Sequence, residues 1–185
     1  MAISLASRRR SPQRLRAEHP GATLVDVTSK GPEPWVCLSP FYPHGGIPVP
    51  FSEGVTSESV EGIWQALKVF ERADVDPSKL AIRTMRGIKR SARSLGAVRG
   101  HRRGLRGETL LDYRAARYAI HLPSYRWMLE QRARRELDAL RALAGEGDVV
   151  LLDYETNADV DDLSRPLSHA ALVRAYLAGE WPAPP

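Results

Sequence analysis

Cysteine is almost missing from this chain: Cys37 stands alone among 185 residues. That excludes an internal disulfide and a cysteine-built metal cluster. Also missing is any apolar run near the roughly 20 residues that a membrane-crossing helix needs. The basic N-terminus leads into no apolar stretch, so it does not read as a secretory signal, and a cytoplasmic protein without a membrane partner is expected. There is no Gly-rich loop followed by Lys-Ser/Thr and no dinucleotide Gly-x-Gly-x-x-Gly. His19, His44, His101, His121 and His169 lack metal-ligand spacing and read as structural or solvated. No nucleophile-elbow pattern supports a catalytic triad. Neither a metal nor a cofactor is expected.

Acids are missing from two stretches, and these carry much of the positive charge. Residues 1–16 hold Arg8, Arg9, Arg10, Arg14 and Arg16 without an Asp or Glu. Residues 83–106 hold Arg83, Arg86, Lys89, Arg90, Arg93, Arg99, Arg102, Arg103 and Arg106, again without an acid. The net charge is +5 although the rest of the chain is acidic on balance, so the excess marks a localised anion site.

What is present describes a globular protein. A hydrophobic share of 43% and a charged share of 26% are ordinary for one. Periodicity and punctuation predict an α+β fold: a single, mostly helical domain over 21–180 with a few short strands. A basic arm or frayed helix precedes it over 1–20, and a Pro-rich tail follows over 181–185. Strands are predicted at 22–28, 35–38 and 149–152, and a structured loop at 40–50. Helices are predicted over 58–72, 78–96, 108–120, 123–144 and 166–178.

The helix over 58–72 is the most informative segment. At about 100° per residue, Glu61, Gln65 and Lys68 share one narrow stripe, with Trp64 beside it and Ile63, Leu67 and Phe70 on the opposite face. A carboxylate, an amide and an amine stacked in this way can hold a polar ligand and move a proton. A solvated face with ordinary ion-pair spacing would look the same. On the next predicted helix, Arg83, Arg86, Lys89, Arg90 and Arg93 radiate outward with no acid to relieve their repulsion, a pattern that suits phosphate. Asp153 and Asn157 close the last strand, where they either meet a ligand or cap the strand as an Asx turn.

The order of these motifs resembles the NADAR, or YbiA-like, proteins, N-glycosidases acting on ribosylated or ADP-ribosylated bases. Ser39-Pro40-Phe41-Tyr42 resembles their opening Ser-Asn-Phe-Tyr segment. Ser59, Glu61, Gln65, Ala66 and Lys68 match their Ser-x-Glu-His-x-x-Gln-Ala-x-Lys helix, and Lys89-Arg90 through Leu95-Gly96 resembles the next helix end more loosely. Pro40 stands where the family has Asn, and Gly62 where it has His. Gly100-His101-Arg102-Arg103-Gly104 replaces an expected Asp-Trp.

The resemblance implies hydrolysis of a base–ribose C–N bond, with Glu61 and Lys68 catalytic. Gln65 would orient ribose hydroxyls, and Phe41, Tyr42 and Trp64 would stack a base. Arg86, Lys89, Arg90 and Arg93 would hold phosphate, and Asp153 and Asn157 would bind ribose or a base edge. The implied partner is a nucleotide or ADP-ribose-like small molecule, free or within DNA or RNA. The rival expectation is a non-enzymatic nucleic-acid-binding protein that tracks phosphates with an Arg-rich helix over 78–106.

Overall fold

The computed structural model describes residues 2–184. The protein is α+β, with 39% of residues helical and 16% in strands. Along the chain run β1 (Ile3–Ser7), α1 (Pro12–Glu18), β2 (Thr23–Asp26), β3 (Ile47–Pro48), β4 (Thr56–Ser57) and α2 (Val60–Leu67). β5 (Lys68–Phe70), α3 (Ala92–Leu95), β6 (Val98–Arg102), β7 (Leu110–Leu111) and α4 (Tyr113–Ala116) follow. A π-helical turn, Arg117–His121, leads into α5 (Leu122–Arg132), α6 (Arg134–Glu146), β8 (Val149–Asp153) and α7 (His169–Ala178). Internal contacts gather these into two compact units. One comprises the residues up to Ser39 together with Leu129–Ala183; the other is Pro40–Met128.

In the first unit β8 lies between β1 and β2, parallel to both, so that Leu5 and Val25 flank Leu151. Every residue of β8 is buried. A parallel strand covered on both faces has no need for polar alternation, which is why Val149–Leu152 reads as an unbroken apolar run. α1 joins β1 to β2 and sends Leu15 into a cluster with Ala6, Val150 and Leu152. Ser11 starts it by accepting the Arg14 N–H, with Pro12 in the first turn. The expected arm over 1–20 is therefore corrected: its first part is a sheet strand whose partner comes from the far end of the chain. Met1 and Pro185, at the outer ends of the expected arm and tail, lie outside the described residues.

Trp35–Leu38, predicted as a strand, is a 3-10 turn. The Cys37 N–H donates to the Pro34 carbonyl, and the Ser39 N–H to that of Val36. Pro34 already holds helical angles, and these local bonds outweigh the β preference of Trp and Val.

The second unit is organised around α2. Ser59 caps it by accepting the Gly62 N–H at 3.0 Å, while Ile63, Ala66 and Leu67 are fully buried. The helix packs against the turn Pro77–Ala81, the π-helical turn and β6. It stops five residues short of the predicted end, because Lys68–Phe70 turns extended and pairs antiparallel with β6. β6 in turn pairs with β7, which occupies the start of the predicted 108–120 helix. Asp112 then caps α4 by accepting the Ala115 N–H at 2.7 Å.

The predicted 78–96 helix is also corrected. Only Pro77–Ala81, a 3-10 turn, and α3 are helical there. Gly87 sits at φ 72, in the left-handed region that ends a helix. Three residues later the Arg90 N–H donates to the Gln65 side chain at 3.0 Å instead of to a helical carbonyl.

Candidate functional site

Glu61, Gln65 and Lys68 come together as their spacing predicts, although Lys68 has left the helix for β5. Glu61 sits in the first turn of α2, its N–H donating to the Pro40 carbonyl at 2.8 Å. Its carboxylate is almost wholly buried and accepts one hydrogen bond, from the Gln65 amide at 2.8 Å. Burial pushes this carboxyl above its ordinary range, and the Gln65 bond and the charges of Lys68 and Lys89 offset that only in part. Burial likewise lowers the Lys68 amine, with Lys89 and Arg90 adding to the effect and Glu61 opposing it. The Lys68 Nζ lies 5.8 Å from the Trp64 ring centroid. Burial thus moves the acid and the amine each toward the neutral form. A solvated ion-pair face would favour both charges.

Around this row stand rings from distant parts of the unit. Trp64 meets His101 at 3.8 Å between centroids, Tyr113 at 5.8 Å and His121 at 5.7 Å. A cavity of about 430 Å³ opens beside Lys68, walled in part by Val98, Gly100, His101 and Tyr113. That size falls within the range of small-molecule sites. Phe41 lies under the Lys89 ammonium at 5.2 Å, and Tyr42 contacts His44 at 4.7 Å. The π-helical turn places buried Arg117 against Tyr113 at 4.6 Å. Such turns recur at functional sites because they re-aim side chains out of helical step.

His101 is the residue sequence reasoning missed. It lies opposite Lys68 in the β5–β6 register, in the segment that departs from the NADAR-like pattern. It lies beyond the predicted 78–96 helix and reads from the sequence as structural or solvated, because its strand partner is remote in sequence. Gly62, the other departure, has a packing cause. A Cβ there would meet the Lys79 carbonyl oxygen and Ser57 Oγ, each at 2.8 Å, so no histidine fits.

The arginine block is largely spent within the unit. Arg90, expected to hold phosphate, is instead a structural anchor. Its guanidinium donates to the carbonyls of Lys68 at 2.6 Å, Asp74 at 2.7 Å and Gln65 at 3.3 Å, and it lies over the Phe70 ring. A cation at these carbonyls ends α2 and holds Gln65 in place. Arg83 pairs with Glu58, Arg99 with Glu71 and Arg102 with Asp74. The missing local acids are thus supplied by tertiary neighbours, and no continuous basic helix runs over 78–106. Arg86, Lys89 and Arg93 are exposed.

In the other unit, Asp153 and Asn157 are occupied. The Asp153 carboxylate accepts from Tyr154 N–H at 2.7 Å, Ser168 Oγ at 2.8 Å, His169 Nδ1 at 3.0 Å and Ala170 N–H at 3.3 Å. Asn157 accepts the Asp159 N–H at 2.9 Å and donates to the Asp162 carbonyl at 3.1 Å, as an Asx turn does. Neither keeps a free face for ribose. No group of acids, histidines or cysteines suited to a metal ion occurs among the described residues, and no helix is long and apolar enough to cross a membrane.

A family model described as a family of unknown function (DUF6939) matches residues 7–173. No curated protein matches the chain.

Proposed function

Because the chain belongs to DUF6939, a family whose description assigns no reaction, we propose its function from the site: hydrolysis of the C–N bond between a base and a ribosyl group. The ligand is a nucleotide, an ADP-ribosylated base or a related nucleoside. The observation that carries this reading is the Glu61–Gln65–Lys68 row, with its buried acid raised, its half-buried amine lowered and aromatic rings beside it. The resemblance of this row to the NADAR helix supports the same chemistry.

In this mechanism the neutral Lys68 amine attacks the anomeric carbon. The C–N bond breaks, its electron pair leaves with the base nitrogen, and the Glu61 carboxylic acid protonates that nitrogen. The bond from the anomeric carbon to the ring oxygen then breaks, a proton passes from the new amine to that oxygen, and the sugar opens to a Schiff base on Lys68. Water, activated by the Glu61 carboxylate, then adds to the imine carbon and releases the free ribosyl aldehyde and the lysine. No oxidant or reductant enters. Of the four residues expected to hold phosphate, Lys89, Arg86 and Arg93 are exposed, whereas Arg90 acts by positioning Gln65.

Incubation with a panel of ribosylated nucleotides and ADP-ribosylated DNA, read by mass spectrometry, tests this. Base release together with a borohydride-trapped adduct on Lys68 supports the mechanism. Full turnover by a folded Lys68→Ala protein sinks it.

A further inference from the structure

Phe51 is an outlier in its backbone, its exposure and its neighbour. Among the described residues it alone, apart from glycines, stands at positive φ, at 56. Its side chain is 49% exposed, the most of any large apolar residue described. The Arg103 guanidinium lies over its ring at 4.6 Å. The local sequence asks for something else. The Ser52 N–H donates to the Val49 carbonyl at 3.1 Å and closes a β-turn on Pro50 and Phe51. Proline suits the first central place of such a turn, and the second, at positive φ, ordinarily takes glycine. A bulky ring held there against its preference and left in water points to a function.

Contacts with the loop over 103–107 hold the turn in place. The Leu105 N–H donates to Ser52 Oγ at 3.0 Å. Gly104, at φ +88, has the Phe51 carbonyl oxygen 2.2 Å from where a Cβ would stand, so only glycine fits. A cavity of about 450 Å³ lies here, walled in part by Phe51, Glu53, Leu105 and Arg106. It shares no lining residue with the cavity beside Lys68. Arg99 and Arg102 are spent on Glu71 and Asp74. Arg103 and Arg106 are exposed, and among the described residues neither guanidinium meets an acid or donates a hydrogen bond.

We infer that this cavity is a second ligand site, for a nucleotide: Phe51 stacks the base, and Arg103 and Arg106 hold the phosphate. A phenyl ring backed by a guanidinium presents its remaining surface to a flat ring. The two free guanidinium groups suit phosphate, which they can grip with paired hydrogen bonds. A bare phosphate would leave the ring unused, and an uncharged ring would leave the cations unanswered. Glu53, on the same wall and in no ion pair among the described residues, is an acceptor for ribose hydroxyls. The site stands or falls independently of the glycosidase reading.

The probes are AMP, adenosine, inorganic phosphate and a trinucleotide of adenylate. Each is titrated into the wild-type protein, Phe51→Gly, Arg106→Ala and Lys68→Ala. Glycine suits the backbone at this position, so Phe51→Gly removes the ring without straining the turn and should melt near the wild-type temperature. The expected result is millimolar or tighter binding of AMP, with shifted Phe51 ring resonances in the wild-type protein. That measurement needs no variant to fold. AMP should bind about tenfold more weakly to Phe51→Gly and to Arg106→Ala, whereas adenosine should weaken only in Phe51→Gly. Lys68→Ala should bind AMP as the wild type does. Phosphate binding as tightly as AMP, or AMP affinity unchanged in Phe51→Gly, overturns the site. Loss of AMP binding in Lys68→Ala also overturns it, because the nucleotide would then occupy the other cavity. Trinucleotide affinity about tenfold above that of AMP, falling steeply with salt, identifies the source as a nucleotide within a strand; equal affinity identifies a free one. Phe51-dependent binding without cleavage of any ribosylated base would keep this site and remove the glycosidase. Cleavage that needs Lys68, with no AMP binding at Phe51, would do the reverse.

Discussion

Glu61 and Asp153 are both carboxylates buried in an apolar setting, yet their surroundings drive them in opposite directions. Around Asp153, burial alone would raise the carboxyl, but His169, Ser168 and the Ala170 N–H bring it below its ordinary value of 3.8. His169 responds in kind. Burial would lower it, but Asp153 and the Val27 carbonyl hold it above 6.5. Carboxylate and carbonyl only accept, so both His169 nitrogens donate and the ring is an imidazolium. Glu61 has a single amide donor and stays raised above 4.5. The number of donors thus separates a carboxylate that fastens a fold from one poised to exchange a proton.

Removing each carboxylate breaks this comparison at its strongest point. Asp153→Ala leaves His169 and Ser168 without their acceptor and is expected to destabilise by about 3–5 kcal/mol. Urea unfolding should show this, together with faster hydrogen exchange at β8. Glu61→Gln, by contrast, should stay within about 1 kcal/mol of wild type in the same unfolding experiment while losing about a hundredfold in turnover. An equal stability loss at both positions would abolish the distinction.

A smaller effect is expected at Gly62. Gly62→Ala drives a Cβ against the Lys79 carbonyl and should cost about 1–3 kcal/mol by thermal melting. Unchanged stability would mean that the room for the missing histidine exists after all.

The smallest effect is the most diagnostic, because it concerns pH. His169, raised in the folded state, contributes stability that is complete below its unfolded value near 6.5 and is lost as pH rises through the folded one. Asp153, lowered, contributes stability present above about 3.8 and lost as pH falls through its folded value. Exchange protection at β8 should therefore be greatest between the two. Glu61 has the opposite sign to Asp153. Its raised carboxyl works against folding as pH climbs above 4.5, so Glu61→Gln should flatten that part of the stability curve.

The part of the site that the sequence disclosed is its local part. Glu61 and Gln65 meet because four residues make about one helical turn, and Ser59 caps that turn through a bond three residues long. β8 was legible because a strand buried on both faces must be apolar throughout. The basic block misled because helical periodicity and the absence of local acids were read as one exposed face. Glu58, Glu71 and Asp74 reach Arg83, Arg99 and Arg102 from outside that window.

By itself, then, the order of residues determined the short-range contacts: the capped helix, its inward stripe, the acid and amide one turn apart. Only the tertiary structure decided that Lys68 would leave the helix, that Arg90 would be spent on carbonyls and that His101 would arrive unpartnered beside Trp64. Each of those depends on strand pairing and burial between residues far apart in sequence. The same holds for the protonation states, since desolvation and the number of donors around a carboxyl exist only once the chain has closed around it.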